Sequence, residues 1–277
     1  MSRTGFTLIE LSVVLVIIGL IVGGVMVGQN MIESAKLRAA VSQIEQYSTA
    51  VNTFRLKYNS VPGDMSASNA SSVGFATRVG TAGRGDGNGK VEGGGIGIVG
   101  YPNAGEMSLF WNDLSAAGLI EGSYKGIDCP RDGFTCTISS ATIPISQIFP
   151  PIKMGSNNYM SVVNDNGINS LVFFGNIMTV SRVGGYLIAG DLYGGTLYGL
   201  TPVQAYNIDL KIDDGLPLTG SIAGVGGIGW TATTIAPMLV GVPSANRCGN
   251  SSTTPTSYNI APPYGAAYIC TIMAALK

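Results

Sequence analysis

"MSRTGFTLIELSVVLVIIGLIVGGVMVGQNMI", residues 1–32, decides how this chain is read. No charged residue occurs from Leu11 to Val27, and Phe6 to Ile9 extend the apolar run towards the start. Residues 6–31 suffice to cross a bilayer, which takes about 20 residues. Arg3 is the one charged side chain ahead of the run and favours a cytoplasmic start, with the remainder outside. Gly23 and Gly24 make poor signal-peptidase sites, so removal of the whole apolar segment is not expected. One residue breaks the pattern. Glu10 places a carboxylate where hydrocarbon penalises charge unless a partner is found.

Beyond the run, "QNMIESAKLRAAVSQIEQYSTAVNTFRLKY" (29–58) keeps apolar residues at helical spacing: Ile32, Ala35, Ala39, Ile44, Tyr47, Val51, Phe54 and Tyr58. No proline occurs before Pro62. Residues 6–58 therefore read as one helix, roughly 80 Å long at about 1.5 Å per residue. Its first half is apolar all round and its second half is amphipathic.

"GFTLIEL" (5–11) behind a short basic leader resembles the N-terminus of type IV pilins and of the pseudopilins of type II secretion. The resemblance implies that a membrane aspartyl prepilin peptidase cuts between Gly5 and Phe6 and methylates the new N-terminus. Glu10 becomes the fifth residue of the mature chain. In the family, that glutamate pairs with the N-terminal amine of a neighbouring subunit and sets the axial register of the filament. A buried pair need not add net stability, but a lone buried charge is penalised, so misregistered packing is rejected. The plain alternative is an anchor with Glu10 at the lipid interface. Gly19, Gly23, Gly24 and Gly28 fit close helix approach, the general frequency of Gly in membrane helices, or local melting during assembly; the residues do not rank these three.

Composition supports an exposed, uncharged surface. Of 277 residues only 11% are charged, 40 are Gly, and the net charge is -1. No field or basic cluster recruits nucleic acid, and no such partner is expected. The absence of histidine excludes imidazole bases and His-ligated metals. Four cysteines, Cys129, Cys136, Cys248 and Cys270, allow three pairings. The local pairing 129–136 with 248–270 is the economical one outside the cytoplasm, against four buried thiols.

"KYNSVPGDM" (57–65) ends the long helix in a turn, and the chain then reads as loop to about Gly105. "EMSLFWNDLSAAGLIEGSY" (106–124) reads as a short helix, with Leu109, Phe110, Leu114 and Ala117 on one face and Gly118 as its stop. "NYMSVVND", "NSLVFFGNIMTVSR" and "GYLIAGD" are strand-like. "LTPVQAYNIDLKIDDG" (200–215) reads as a helix capped by Thr201. This order resembles the pilin plan. It implies an α+β fold in which the long helix packs on a small antiparallel sheet, with a disulfide-bounded C-terminal segment. The implied organisation is a leader at 1–5, a helix at 6–58 crossing the membrane at 6–31, and an extracytoplasmic globular domain at 59–277.

"GDGNGKVEG" (85–93) sets Asp86, Asn88 and Glu92 in a Gly-rich turn. Such oxygens suit calcium, which some pseudopilins bind near their sheet, although the spacing is not that of an EF-hand. A solvated turn explains it too. Asp213-Asp214-Gly215 could add to that site or form another, or simply close a helix. Arg84-Gly85-Asp86 is a short tripeptide without context, and "GIGIVG" and "GVGGIG" lack the strand and helix of a dinucleotide site. Trp111 and Trp230 read as core or interface aromatics. No nucleophile and base constellation stands out, so no enzyme is expected.

The expected function is a minor or accessory structural subunit of a type IV pilus or similar filament, a class that includes cell adhesion. A type II secretion pseudopilin is the alternative, and a membrane-anchored receptor or enzyme with an uncleaved helix is a further one. Implied partners are other pilin subunits in a homo- or hetero-filament, the prepilin peptidase and an inner-membrane assembly platform. The chain would sit once through the inner membrane with its domain in the periplasm, then in a periplasmic or cell-surface filament. No cofactor other than calcium is implied.

Overall fold

The computed structural model describes residues 7–81, 84–91, 105–126, 143–154, 159–165, 168–174, 179–183, 186–189, 200–217, 219–225, 248–249, 257–258, 260 and 270–276. One helix dominates it. α1 runs Leu8–Tyr58, 51 residues without a break. Thr7 caps its start, and Arg55 and Lys57 in its last turn complement the helix dipole. It stops at Asn59, which adopts the left-handed conformation (φ 48°) and donates its amide to Arg55 O at 2.8 Å.

The buried stripe of α1 is Leu37, Ala40, Ile44, Tyr47, Val51 and Phe54. Its alternating three- and four-residue steps follow the seam of a packed helix pair. Among the described residues two helices lie along it, and Phe75 and the segment at 151–153 meet its side chains as well. α2 (Ala67–Ser72) is a single turn or so, whereas α3 (Glu106–Ala116) and α4 (Pro202–Ile212) both lie against α1. Tyr47 meets Trp111 of α3 edge-on, with ring centres 5.0 Å apart. Trp111, Phe110, Leu114 and Phe54 are completely buried.

The strands are β1 (Ile143–Pro144), β2 (Tyr159–Asp165), β3 (Ile168–Phe174), β4 (Thr179–Val183), β5 (Tyr186–Ala189), β6 (Ile222–Val225) and β7 (Thr271–Ala275). They pair antiparallel in two groups, β1-β4-β5 and β2-β3-β7-β6. The last strand is thus central in its group, set between β3 and β6. A disulfide joins Cys248 to Cys270, both buried, and Cys270 exchanges backbone hydrogen bonds with Leu200. The expected C-terminal disulfide is therefore present. Cys129 and Cys136 lie outside the described residues.

The expected α+β arrangement, a long helix packed on one small antiparallel sheet, is corrected. Among the described residues α1 packs on α4 and α3, and no sheet forms its bed. Strands pack on the two helices that cover α1, β2 against α3 and β6 against α4. The amphipathic stripe shows that a face must be covered, and long helical side chains cover it here instead of a sheet face. The loop reading of 62–105 also missed α2, which Ser66 caps through Asn69 N.

Candidate functional site

Among the described residues two places carry chemistry. The first is built where the turn after α1 meets the start of α3. Pro62, Gly63, Asp64 and Met65 are all buried. Gly63 has φ +85°, and a Cβ there would collide with Glu106 O of α3. That contact explains glycine at this position. Asp64 accepts three backbone N–H groups from the loop it faces: Gly87 at 2.9 Å and Asn88 at 3.2 Å on Oδ1, and Gly89 at 2.6 Å on Oδ2. Glu106, fully buried, accepts the Gly85 amide at 2.7 Å. Asp86 holds Asn88 by its backbone amide (3.0 Å) and its side-chain amide (3.0 Å). Carboxylates thus organise loop 84–91 from beneath.

Carboxylate oxygens of Asp64, Asp86 and Glu106 lie within 4.8 Å of one another. Burial, with the neighbouring Asp86 carboxyl, pushes Asp64 up to about 7, against the pull of the Gly89 and Gly87 amides. Beside this group, Asp113 is buried; burial raises its carboxyl, while Arg78 and the Gly63 amide pull it back.

The sequence expectation at this loop centred on Asp86, Asn88 and Glu92. The structure brings Asp86 to Asp64 and Glu106 instead. Asn88 is occupied in bracing the loop, accepting the Lys90 amide at 2.8 Å. Glu92 lies outside the described residues. Glu106, Phe110 and Asp113 sit at i, i+4 and i+7, on the face that sequence reading assigned to apolar packing. Two acids on such a face were the available signal that buried partners had to exist.

A second acidic group is Asp209, Asp213 and Asp214 at the end of α4. Asp209 is buried and accepts Tyr258 Oη at 2.7 Å and the Gly215 amide at 3.2 Å. Burial raises its carboxyl. Asp213 receives the Ser221 amide, and Asp214 receives the Thr219 hydroxyl. These bonds account for the acids as braces of the turn after α4.

The second place is the start of α1. Thr7 and Glu10 form a reciprocal capping box. Thr7 donates its amide (2.8 Å) and its hydroxyl (2.7 Å) to Glu10 Oε2, and Glu10 N donates to Thr7 Oγ1 at 3.3 Å. The carboxylate that breaks the apolar run is therefore held by its own chain. Every large apolar residue from Leu8 to Ile32 is exposed. At Gly19, Gly23, Gly24 and Gly28 an added Cβ would meet nothing within 4 Å. Their smallness serves no packing among the described residues. Gly5 and Phe6 lie outside the described residues.

Residues 1–26 match the prokaryotic N-terminal methylation motif. The chain therefore carries a prepilin-type signal, consistent with assignment among type IV pilins and type II secretion pseudopilins. No curated protein and no solved structure matches the chain. The motif accounts for the N-terminal half of α1, which is long and apolar enough to cross a membrane. It favours a structural role over a catalytic one. The two acidic groups provide oxygen donors that could in principle hold a divalent ion.

Proposed function

We propose that this chain is a minor or accessory subunit of a type IV pilus or of a type II secretion pseudopilus. Residues 1–5 are removed as a leader, Phe6 is N-methylated, residues 6–31 lie in the inner membrane, and the region from 59 onwards lies outside it. Assembly then moves the exposed apolar half of α1 from lipid into a bundle of like helices. Glu10 exchanges its contact with Thr7 for the amine of a neighbour's Phe6. The cost of leaving either charge alone in hydrocarbon selects the register. The prepilin-type motif over 1–26 carries the reading. The glycines support it, because no described residue of this chain comes within reach of them and small residues let another helix approach closely.

Calcium belongs to this reading at Asp64, Asp86 and Glu106, with Asp86 shared with the set expected from sequence. All-oxygen donors suit a hard cation, and a cation there offsets the repulsion between these neighbouring carboxylates.

The deciding experiment is the N-terminus of the protein from native membranes and from a sheared surface fraction, by intact mass and peptide sequencing. A chain beginning at methylated Phe6 is expected. A chain beginning at Met1 in cells with active prepilin peptidase would make the helix a plain anchor.

A further inference from the structure

Between Glu10 and Glu33, α1 has no ionisable side chain. Glu33 is the first charge beyond the apolar run, and it marks where the helix leaves hydrocarbon, because charge is held out of it. The globular part reaches the helix at this very level. Gln204 of α4 donates Nε2 to Glu33 Oε1 at 2.7 Å. No linker intervenes: α1 continues straight through, and its first buried residue, Leu37, follows about 6 Å further along the axis.

The part of α4 next to this contact is uncharged from Pro202 to Ile208. Pro202, Ala205 and Ile208 turn into the core. Val203 stays 39% exposed and Tyr206 is half-buried. Val203 is an exposed aliphatic side chain on the same uncharged stretch of α4 as Tyr206, and tyrosine belongs to the chemistry of a bilayer's interfacial layer. Met31 and Ile32 of α1, the two residues before Glu33, are exposed as well.

We propose that the first two turns of α4 form a foot resting on the membrane, with Val203 at the boundary between headgroups and acyl chains. The proposal rests on reading residues 6–31 as the membrane span. The headgroup layer is about 5–7 Å deep on each side of the hydrocarbon. Glu33 lies about 3 Å past Met31 along the helix, so Gln204 falls within that layer. The foot fixes the tilt and rotation of the globular part against the bilayer before assembly.

The test uses the full-length, unassembled chain in lipid vesicles whose acyl chains are brominated close to the headgroups. Three single variants are compared, Val203→Trp, Val22→Trp and Leu56→Trp, each corrected for the emission of the parent chain. Val22 lies in the apolar run and Leu56 is exposed near the far end of α1. The expected result is bromine quenching of Val203→Trp several-fold above that of Leu56→Trp, weakening when the bromines are moved towards the acyl chain ends. Quenching of Val22→Trp by the deeper bromines, with Val203→Trp as unaffected as Leu56→Trp, overturns the foot and leaves the span intact. Such a result would assign the α4 face to water or to another protein chain. If neither Val22→Trp nor Val203→Trp is quenched at any depth, the span reading itself fails and the foot fails with it.

Discussion

Arg78 and Asp113 form a two-pronged ion pair in which neither side chain has any solvent exposure, Nη2 to Oδ1 at 2.6 Å and Nη1 to Oδ2 at 3.1 Å. The same guanidinium donates to the carbonyls of Gly63, Met65 and Ala76, and Asp113 also accepts the Gly63 amide at 2.7 Å. One pair thereby joins the turn after α1, the segment around residue 78 and α3. Removing one partner strands a buried charge. Arg78→Met is expected to cost about 3–5 kcal/mol. The double variant Arg78→Met/Asp113→Leu is expected to recover part of that loss, since the carbonyls and the Gly63 amide still lack partners. Denaturant melts of both in detergent check this. A loss below about 1 kcal/mol for Arg78→Met, the level of a surface pair, would count against the pair as a tie.

Asp64 predicts a pH dependence. Its carboxyl stands at about 7 in the fold, against an ordinary value of 3.8, through burial and the neighbouring Asp86. The fold therefore favours the protonated form. Its contribution is fully present below pH 3.8 and is lost as pH rises through about 7. Stability should fall across that window by up to about 1.4 kcal/mol per pH unit from this group. Asp86→Asn removes the smaller cause and should flatten the slope in part, whereas Asp64→Asn should remove this group's share altogether. Melting temperatures measured in steps from mildly acidic to mildly alkaline buffer test it; an unchanged slope in Asp64→Asn would contradict the assignment.

A cation at the same carboxylates makes a separate prediction. Calcium should raise the melting temperature of the full-length chain in detergent and chelator should lower it, while Glu106→Gln should lose most of the difference. Bound calcium favours ionised carboxylates, so it should also weaken the pH slope attributed to Asp64. Identical melting curves with calcium and with chelator would remove the ion from this site.

Glu10→Ala separates insertion from assembly. The exposed apolar run is intact in the variant, so the chain should still enter the membrane. It should be depleted from the sheared filament fraction, because the neighbour's amine then has no carboxylate. Normal incorporation would refute the pairing and leave Glu10 as a helix-capping residue alone.

Much of α1 was legible beforehand. Absence of proline up to Pro62, an uncharged run and a 3.6-residue rhythm from Ile32 to Tyr58 specify a helix by local chemistry, and it ends at Tyr58. Thr201 before Pro202 marked the start of α4 for the same reason, through a capping box with Gln204. Of the three pairings that four cysteines allow, the economical one included Cys248–Cys270, and the structure contains that bridge. The carboxylate site was only partly visible. Asp86 was noticed for its Gly-rich surroundings, whereas Asp64 and Glu106 are 22 and 20 residues away from it in sequence and became neighbours only through the turn at Gly63 and the placement of α3.

By itself the sequence determined the long helix, its apolar first half, its end at the turn before Pro62 and the prepilin-type signal, all properties set within a few residues of chain. Tertiary structure decided the rest. The stripe on α1 states that a face must be buried, yet hydrophobic burial has no direction, so it does not say whether a sheet or a helix covers it; α3 and α4 do. Nor does a local pattern show that Arg78 is owed to Asp113, or that Gln204 meets Glu33 across 171 residues. Such pairs exist because burying a polar group requires a partner, and only the folded chain brings that partner within reach.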